Sequence, residues 1–190
     1  MAIALYFGSF NPIHIGHLII ANSVLLEKEI DQVWFVVSPQ NPFKKSENLL
    51  PEQQRYYLTQ IATDDNPKFR VSNIEFSMPK PSYTIDTLNY LSEKYPTKKF
   101  AILIGGDNLT HFHKWKNYEQ ILERYLVYVY RRPLAELPPM ALHPHVRMLD
   151  VPMMDISSTL IRERIQKNAS IRYLVPDNVI DEIEKGRFYK

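Results

Sequence analysis

The chain has 190 residues, of which 45% are hydrophobic and 23% charged, with a formal net charge of +2 and no cysteine. That length suits one domain able to bury a full core, and the lack of cysteine excludes disulfides, thiolate catalysis and Cys-ligated zinc while suiting a reducing compartment. So small a net charge gives no argument for bulk nucleic-acid binding, and any anion site has to be built locally.

The N-terminal MAIALYFGSF carries neither a basic stretch nor a long apolar run. No secretory signal is therefore expected, and no apolar segment reaches the ~20 residues of a membrane span. A cytoplasmic protein with no membrane association is the expectation.

In chain order, Ile3 to Phe7 is a short apolar run of the kind found in buried parallel strands. A helix is predicted from about Gly16 to Glu29, then a strand over Val33 to Val37. Residues 38–50 read as a Pro/Asn/Lys loop. Pro51 suits the first position of a helix running to about Thr63, which Asp64-Asp65-Asn66-Pro67 stops. Phe69 to Phe76 contains another strand, and Tyr83 to Lys94 is helical. Phe100 to Ile104 is a strand, Trp115 to Arg124 a helix and Leu126 to Tyr130 a strand. A Pro-rich loop over 131–145 leads to a last short strand, Val146 to Val151. Helices over Ser157 to Lys167 and Asp177 to Lys185 close the chain, with Gly186 as the stop signal.

Repeated strand–helix units predict an α/β fold: a Rossmann-like doubly wound parallel sheet with helices on both faces. The chain reads as a single domain over residues 1–190, without a linker long enough to divide it. Such sheets bind ligands at the carboxyl ends of their strands, where strand order reverses. Functional residues are therefore expected in loops just after strands.

There are only five glycines, and four of them (Gly8, Gly16, Gly105 and Gly106) lie in two short segments that follow apolar runs. Glycine permits positive φ and close backbone approach to a ligand. Gly8-Ser9-Phe10-Asn11-Pro12-Ile13-His14-Ile15-Gly16-His17 follows the first strand and opens the first helix. It is neither the dinucleotide G-x-G-x-x-G pattern nor a P-loop. The start of a helix presents backbone N–H groups and a positive dipole end, both suited to phosphate. His14 and His17 can be aimed at the same anion, donating hydrogen bonds and offsetting growing charge. A lone histidine there would more often be a cap or a packed ring; a pair spanning a glycine favours function.

Ile156-Ser157-Ser158-Thr159-Leu160-Ile161-Arg162 is the second motif. A hydroxyl at a helix start is ordinary N-cap composition and accounts for Ser157. It does not account for three hydroxyls followed one turn later by Arg162, which together make a second phosphate grip.

His14-Ile15-Gly16-His17 and Ile156-Ser157-Ser158-Thr159-x-x-Arg162 resemble the HxGH and ISSTxIR motifs of the nucleotidylyltransferase superfamily. Further segments are similar to the bacterial nicotinate-nucleotide adenylyltransferase family: Asn41-Pro42-Phe43-Lys44, Ser82-Tyr83-Thr84-Ile85-Asp86-Thr87-Leu88, Gly105-Gly106-Asp107-Asn108-Leu109 and Trp115. The likeness covers nearly the whole chain. One departure is Phe43, which stands where many relatives carry histidine in a Pro-Pro-His-Lys loop. The resemblance implies adenylyl transfer from ATP, with Mg²⁺ accompanying it, to nicotinate mononucleotide. The products are nicotinate adenine dinucleotide and pyrophosphate, in NAD biosynthesis. The reaction is direct displacement without a covalent enzyme intermediate, which positioning and charge stabilisation can drive.

The resemblance implies His14, His17 and Arg162 as catalytic residues. ATP would lie against Gly8, Ser9, Phe10, His14, Gly16, His17, Gly105, Asp107, Ile156, Ser157, Ser158, Thr159 and Arg162. The acceptor would meet Asn41, Lys44, Tyr83, Thr84, Asp107, Trp115 and Arg132. Asp107 can accept ribose hydroxyls or cap a helix; Trp115 can stack on a pyridine ring or pack as a core aromatic. Backbone amides at Tyr83 and Thr84 suit a carboxylate. Lys45 competes with Lys44, and Arg131 with Arg132, for the ligand. No resident metal site is expected, ligation by Asp107, His111 and His113 being set aside. Homo-oligomerisation stays open.

Other readings are an adenylyltransferase for nicotinamide mononucleotide or pantetheine phosphate, and a non-catalytic nucleotide-binding module. The pantetheine family is usually shorter and lacks the Ser82–Leu88 pattern; intact His14, His17 and Arg162 argue against the non-catalytic module. Class I aminoacyl-tRNA synthetases share the His-Ile-Gly-His pattern but are much longer.

Overall fold

A computed structural model describes residues 1–39, 49–131 and 138–190. Strands β1 (Ala2–Gly8), β2 (Ile30–Val37), β3 (Phe69–Ser72), β4 (Lys99–Gly105), β5 (Leu126–Tyr130) and β6 (Val146–Leu149) form one sheet in the order β3-β2-β1-β4-β5-β6. Every pairing is parallel, with Leu5 beside Trp34 on one edge of β1 and beside Ile102 on the other.

The strands read as unbroken apolar runs because both of their faces are covered. In β1, Ala4 and Tyr6 point to one face and Ile3 and Leu5 to the other. Helices α1 (Ile15–Val24), α2 (Glu52–Ile61), α6 (Ser158–Gln166) and α7 (Asp177–Lys185) cover the first face through Ile20, Leu58, Ile161 and Val179. Helices α3 (Thr84–Lys94), α4 (Gly106–Thr110) and α5 (Tyr118–Arg124) cover the second through Leu88, Leu109 and Ile121. After β3 the chain crosses to the other side of β1, so β1 and β4 lie side by side while α1 and α4 depart to opposite faces. A crevice for ligand opens between loops that part in this way.

The doubly wound parallel sheet matches the expectation; several boundaries do not. Helix α1 ends at Val24, capped by Leu25, instead of reaching Glu29. The five residues that follow turn back so that Ala2 N–H reaches Glu29 O and β2 can pair with β1. Pro51 is an N-cap with extended ψ of 140°, one place before the helix proper. Asn117, left-handed at φ 52°, delays α5 to Tyr118 and leaves Trp115 beyond a short 3₁₀ turn, Phe112–Lys114. Helix α4 opens at Gly106 with Gly105 as its N-cap, two places before the helix cap offered at Asp107. β3 gives way to a 3₁₀ turn at Ile74–Ser77, and β6 stops at Leu149. Gly186 has a right-handed φ of −78°; the left-handed residue that turns the chain is Arg187, at φ 50°.

Candidate active site

The first motif leaves the end of β1 and enters α1. No glycine in the chain has a positive φ; the left-handed residue of the motif is Phe10, at φ 44°. A bulky side chain in that region is strained. Here burial holds it: Phe10 is 2% exposed and edge-packed on Tyr6, Phe35 and His17. Its ring folds back over Gly8, where an added Cβ would come within 2.8 Å of it. Glycine is needed there for close approach, not for its backbone freedom. Gly16 serves likewise, since a Cβ would sit 3.0 Å from His14 Nδ1.

His14 and His17 form a reciprocal cap at the start of α1. His17 N–H donates to His14 Nδ1 at 3.3 Å and His14 N–H donates to His17 Nδ1 at 3.2 Å. The rings stack with centroids 3.6 Å apart. A nitrogen that accepts cannot carry the proton, so in the neutral form both rings hold hydrogen on Nε2. The cap reading of this pair is realised, and capping through Nδ1 puts the N–H of each ring on Nε2. The first-turn amides are partly spoken for, because Ile15 N–H donates to Leu174 O at 2.9 Å and His17 N–H is used in the cap.

The second motif docks directly onto the first. Ser157 is the N-cap of α6, accepting from Leu160 N–H, as its composition predicts. Ser158 Oγ donates to Pro12 O at 2.9 Å across 146 residues. Arg162 donates to Asn11 O at 2.8 Å and reaches Thr159 Oγ1 at 3.3 Å. A cavity of about 250 Å³ opens where the motifs meet, lined by Tyr6, His14, Gly16, His17, Tyr130, Arg131, Ile156 and Ser157 among others. Of the two competing arginines, Arg131 lines this cavity; Arg132 lies outside the described residues, as do Asn41, Lys44 and Lys45.

The remaining candidates gather on the other side of β4. Gly105 caps α4, whose first turn carries Gly106 and Asp107. Trp115 is half-buried with its ring centroid 4.8 Å from that of Phe112, so one side of it packs on the core. Lys116, next in sequence, bonds both Asp86 oxygens at 2.9 Å and lies over the Tyr83 ring at 5.1 Å. That ties the Trp115 segment to the start of α3, where Tyr83 is the N-cap and makes no side-chain cap bond. His111 and His113 are exposed.

Three supporting residues escape sequence reasoning. Arg55, wholly buried in α2, donates to Ser9 O at 2.6 Å, Ser38 O and Leu50 O at 2.8 Å and Pro39 O at 3.0 Å. It fastens the loops leaving β1 and β2 to one guanidinium, whose pKa burial draws below the usual arginine value. Helical spacing placed it on the same face as Leu58 and Thr59, a signal that was available. Glu75, 2% exposed, accepts from Ser82 Oγ at 2.9 Å and Thr87 Oγ1 at 2.8 Å, and burial raises its pKa above the ordinary glutamate value. Tyr189, one residue from the end, donates to Asn11 Oδ1 at 2.9 Å. Burial raises its pKa, opposed by Arg162 and Arg55. Neither Glu75 nor Tyr189 belongs to any periodic pattern.

An all-parallel sheet with two motifs joined over the β1 terminus defines a Rossmann-like nucleotidyltransferase. The cytidylyltransferase-like family model matches residues 5–164. A protein from Cytophaga hutchinsonii named probable nicotinate-nucleotide adenylyltransferase is 51% identical over 189 residues, covering 100% of this chain and 98% of its own. One of the same name from Flavobacterium johnsoniae is 47% identical, covering 100% of both. The fold matches that of the Plasmodium falciparum nicotinic acid mononucleotide adenylyltransferase complexed with NaAD, with a TM-score of 0.84 at 21% identity over 99% of this chain and 97% of that one. The chain belongs to the cytidylyltransferase-like family and, within it, to the nicotinate-nucleotide adenylyltransferases.

Proposed function

We propose that the chain joins the adenylyl group of ATP to the phosphate of nicotinate mononucleotide, forming nicotinate adenine dinucleotide and releasing pyrophosphate, as a cytoplasmic step of NAD biosynthesis. The observation that carries this reading is the docking of Ser158 on Pro12 and Arg162 on Asn11, which brings two segments far apart in sequence together as the two walls of a single cleft. The names of its close relatives support the substrate pair.

An oxygen of the acceptor phosphate attacks the α-phosphorus of ATP, and the bond from that phosphorus to the pyrophosphate oxygen breaks. Such a transfer needs alignment and charge stabilisation, with no protein nucleophile. His14 and His17 present Nε2–H to the phosphates from one wall, and Arg162 with Ser158 and Thr159 holds the triphosphate from the other. Donors fixed in place by capping act without reorganising during the reaction. Tyr83, Thr84, Asp107 and Trp115 take the mononucleotide on the far side of β4. Mg²⁺ belongs here to the substrate, arriving on the ATP phosphates, its usual mode of binding.

The test is pyrophosphate release from ATP and Mg²⁺ with nicotinate mononucleotide, nicotinamide mononucleotide or pantetheine phosphate. The acid mononucleotide is expected to give the highest kcat/KM. Binding of ATP without release for any acceptor would identify a non-catalytic module instead.

A further inference from the structure

The 3₁₀ turn after β3 places a carboxylate where no chemistry described above uses it. Glu75 is buried, and among the described residues no lysine, arginine or histidine pairs with it. An uncompensated buried carboxylate is costly, so its partners show what it is for. They are hydroxyls that converge from separate elements. Ser82 Oγ donates at 2.9 Å from the residue just before the N-cap of α3, and Thr87 Oγ1 donates at 2.8 Å from the first turn of that helix. The Ser38 hydroxyl, at the end of β2, also favours its charged form. Ser82 and Thr87 bracket Tyr83 and Thr84. One carboxylate thus clamps both sides of the segment whose backbone amides head α3, and anchors it to the carboxyl end of the sheet.

We propose that Glu75 is a positioning residue for the acceptor: it holds the Tyr83–Thr84 amides in the register that receives the carboxylate of the pyridine ring. This rests on the reading of that segment as acceptor-facing. Two oxygens fixed by two hydroxyls resist both sliding and rotation of the helix start, which a single bond would not. The side chain of Tyr83 makes no cap bond, and the other side-chain tether described at this helix start is the exposed Lys116–Asp86 pair.

Steady-state kinetics of Glu75→Ala, Glu75→Gln and the double variant Ser82→Ala/Thr87→Val test the proposal, with Trp115→Ala as a control. Glu75→Ala is expected to raise KM for nicotinate mononucleotide about ten- to a hundredfold, the scale of lost charge-assisted hydrogen bonds, while ATP KM stays as in the wild type. The double variant should move the same parameter. Glu75→Gln keeps the shape and one accepting oxygen and should fall between. A merely structural role would lower the melting temperature or the active fraction without separating the two KM values. If Glu75→Ala does not fold, Glu75→Gln decides, and acceptor KM at the wild-type value in it and in the double variant overturns the proposal. A raised acceptor KM in Trp115→Ala with none in the Glu75 variants sinks this inference alone. No change in Trp115→Ala either sinks the placing of the acceptor site.

Discussion

Arg55 is the most sharply testable part of the scaffold. Replacing it by methionine keeps an unbranched chain of similar reach and removes four donated hydrogen bonds, to Ser9, Ser38, Pro39 and Leu50 carbonyls. Single hydrogen bonds to charged groups contribute about 1.5–3 kcal/mol, but they are not additive at one site. Leaving buried acceptors unsatisfied costs about 1–3 kcal/mol each, so with that non-additivity the four carbonyls together lose about 3–5 kcal/mol, a large share of the roughly 5–15 kcal/mol that holds a domain folded. With a urea m-value of about 2 kcal/mol/M, that loss lowers the unfolding midpoint by about 1.5–2.5 M. Arg55→Lys should lose most of the same stability, because three ammonium donors on a point charge cannot span carbonyls arranged for a planar fork. Equilibrium urea unfolding followed by tryptophan fluorescence measures both variants. A midpoint shift under about 0.5 M at unchanged m, or full rescue by lysine, would refute the claim that this guanidinium ties the loops together.

His17→Ala should lower kcat by about 10²–10⁴-fold with little change in either KM, since its contact strengthens as charge builds; steady-state kinetics showing less than a tenfold loss would remove His17 from the mechanism. Tyr189→Phe removes only the hydroxyl that meets Asn11 Oδ1, so stability should drop by about 1 kcal/mol in urea unfolding, and ATP KM should rise because Asn11 O is also the acceptor for Arg162. An unchanged ATP KM would confine Tyr189 to packing. Glu75 supplies a pH test. Burial raises its pKa, so the folded state binds its proton more tightly than the unfolded state. The corresponding stability is full below the ordinary glutamate pKa and is lost as pH rises through the folded value. Relative to Glu75→Gln, the wild-type melting temperature should therefore fall as pH increases from about 4 upward, and a difference that stays flat would show that burial does not penalise this charge.

The fold was legible because both sheet faces are covered. A strand buried on two sides has to be apolar at every position, and β1, β4 and β5 advertise this as short unbroken runs between polar loops. What could not be read were features decided by single backbone angles. Asn117 at φ 52° splits the segment from Trp115 to Arg124, and no composition rule separates that from a continuous helix. The glycines do not supply the positive φ that their placement suggested. The motif does contain a left-handed residue, but it is Phe10, held there by the rings around it, while Gly8 supplies the room its ring occupies.

The site divides in a similar way. Its proposed donors are recognisable in one-letter code because chemistry restricts them: paired imidazoles, consecutive hydroxyls and a guanidinium have few substitutes for gripping phosphate. Its scaffold is not, because that scaffold is written in bonds from side chains to backbone carbonyls. Ser158 holds Pro12, Arg162 holds Asn11 and Arg55 holds Ser9, Ser38, Pro39 and Leu50. A carbonyl is present at every residue, so the accepting side of each bond leaves no mark on the sequence. Ser158 and Arg162 are hydrogen-bonded to the first motif, so the residues proposed to hold a triphosphate also lock the cleft that would receive it. Substituting either residue therefore perturbs the geometry around His14 as well as removing a direct contact, and their effects on turnover should be non-additive with that of His17.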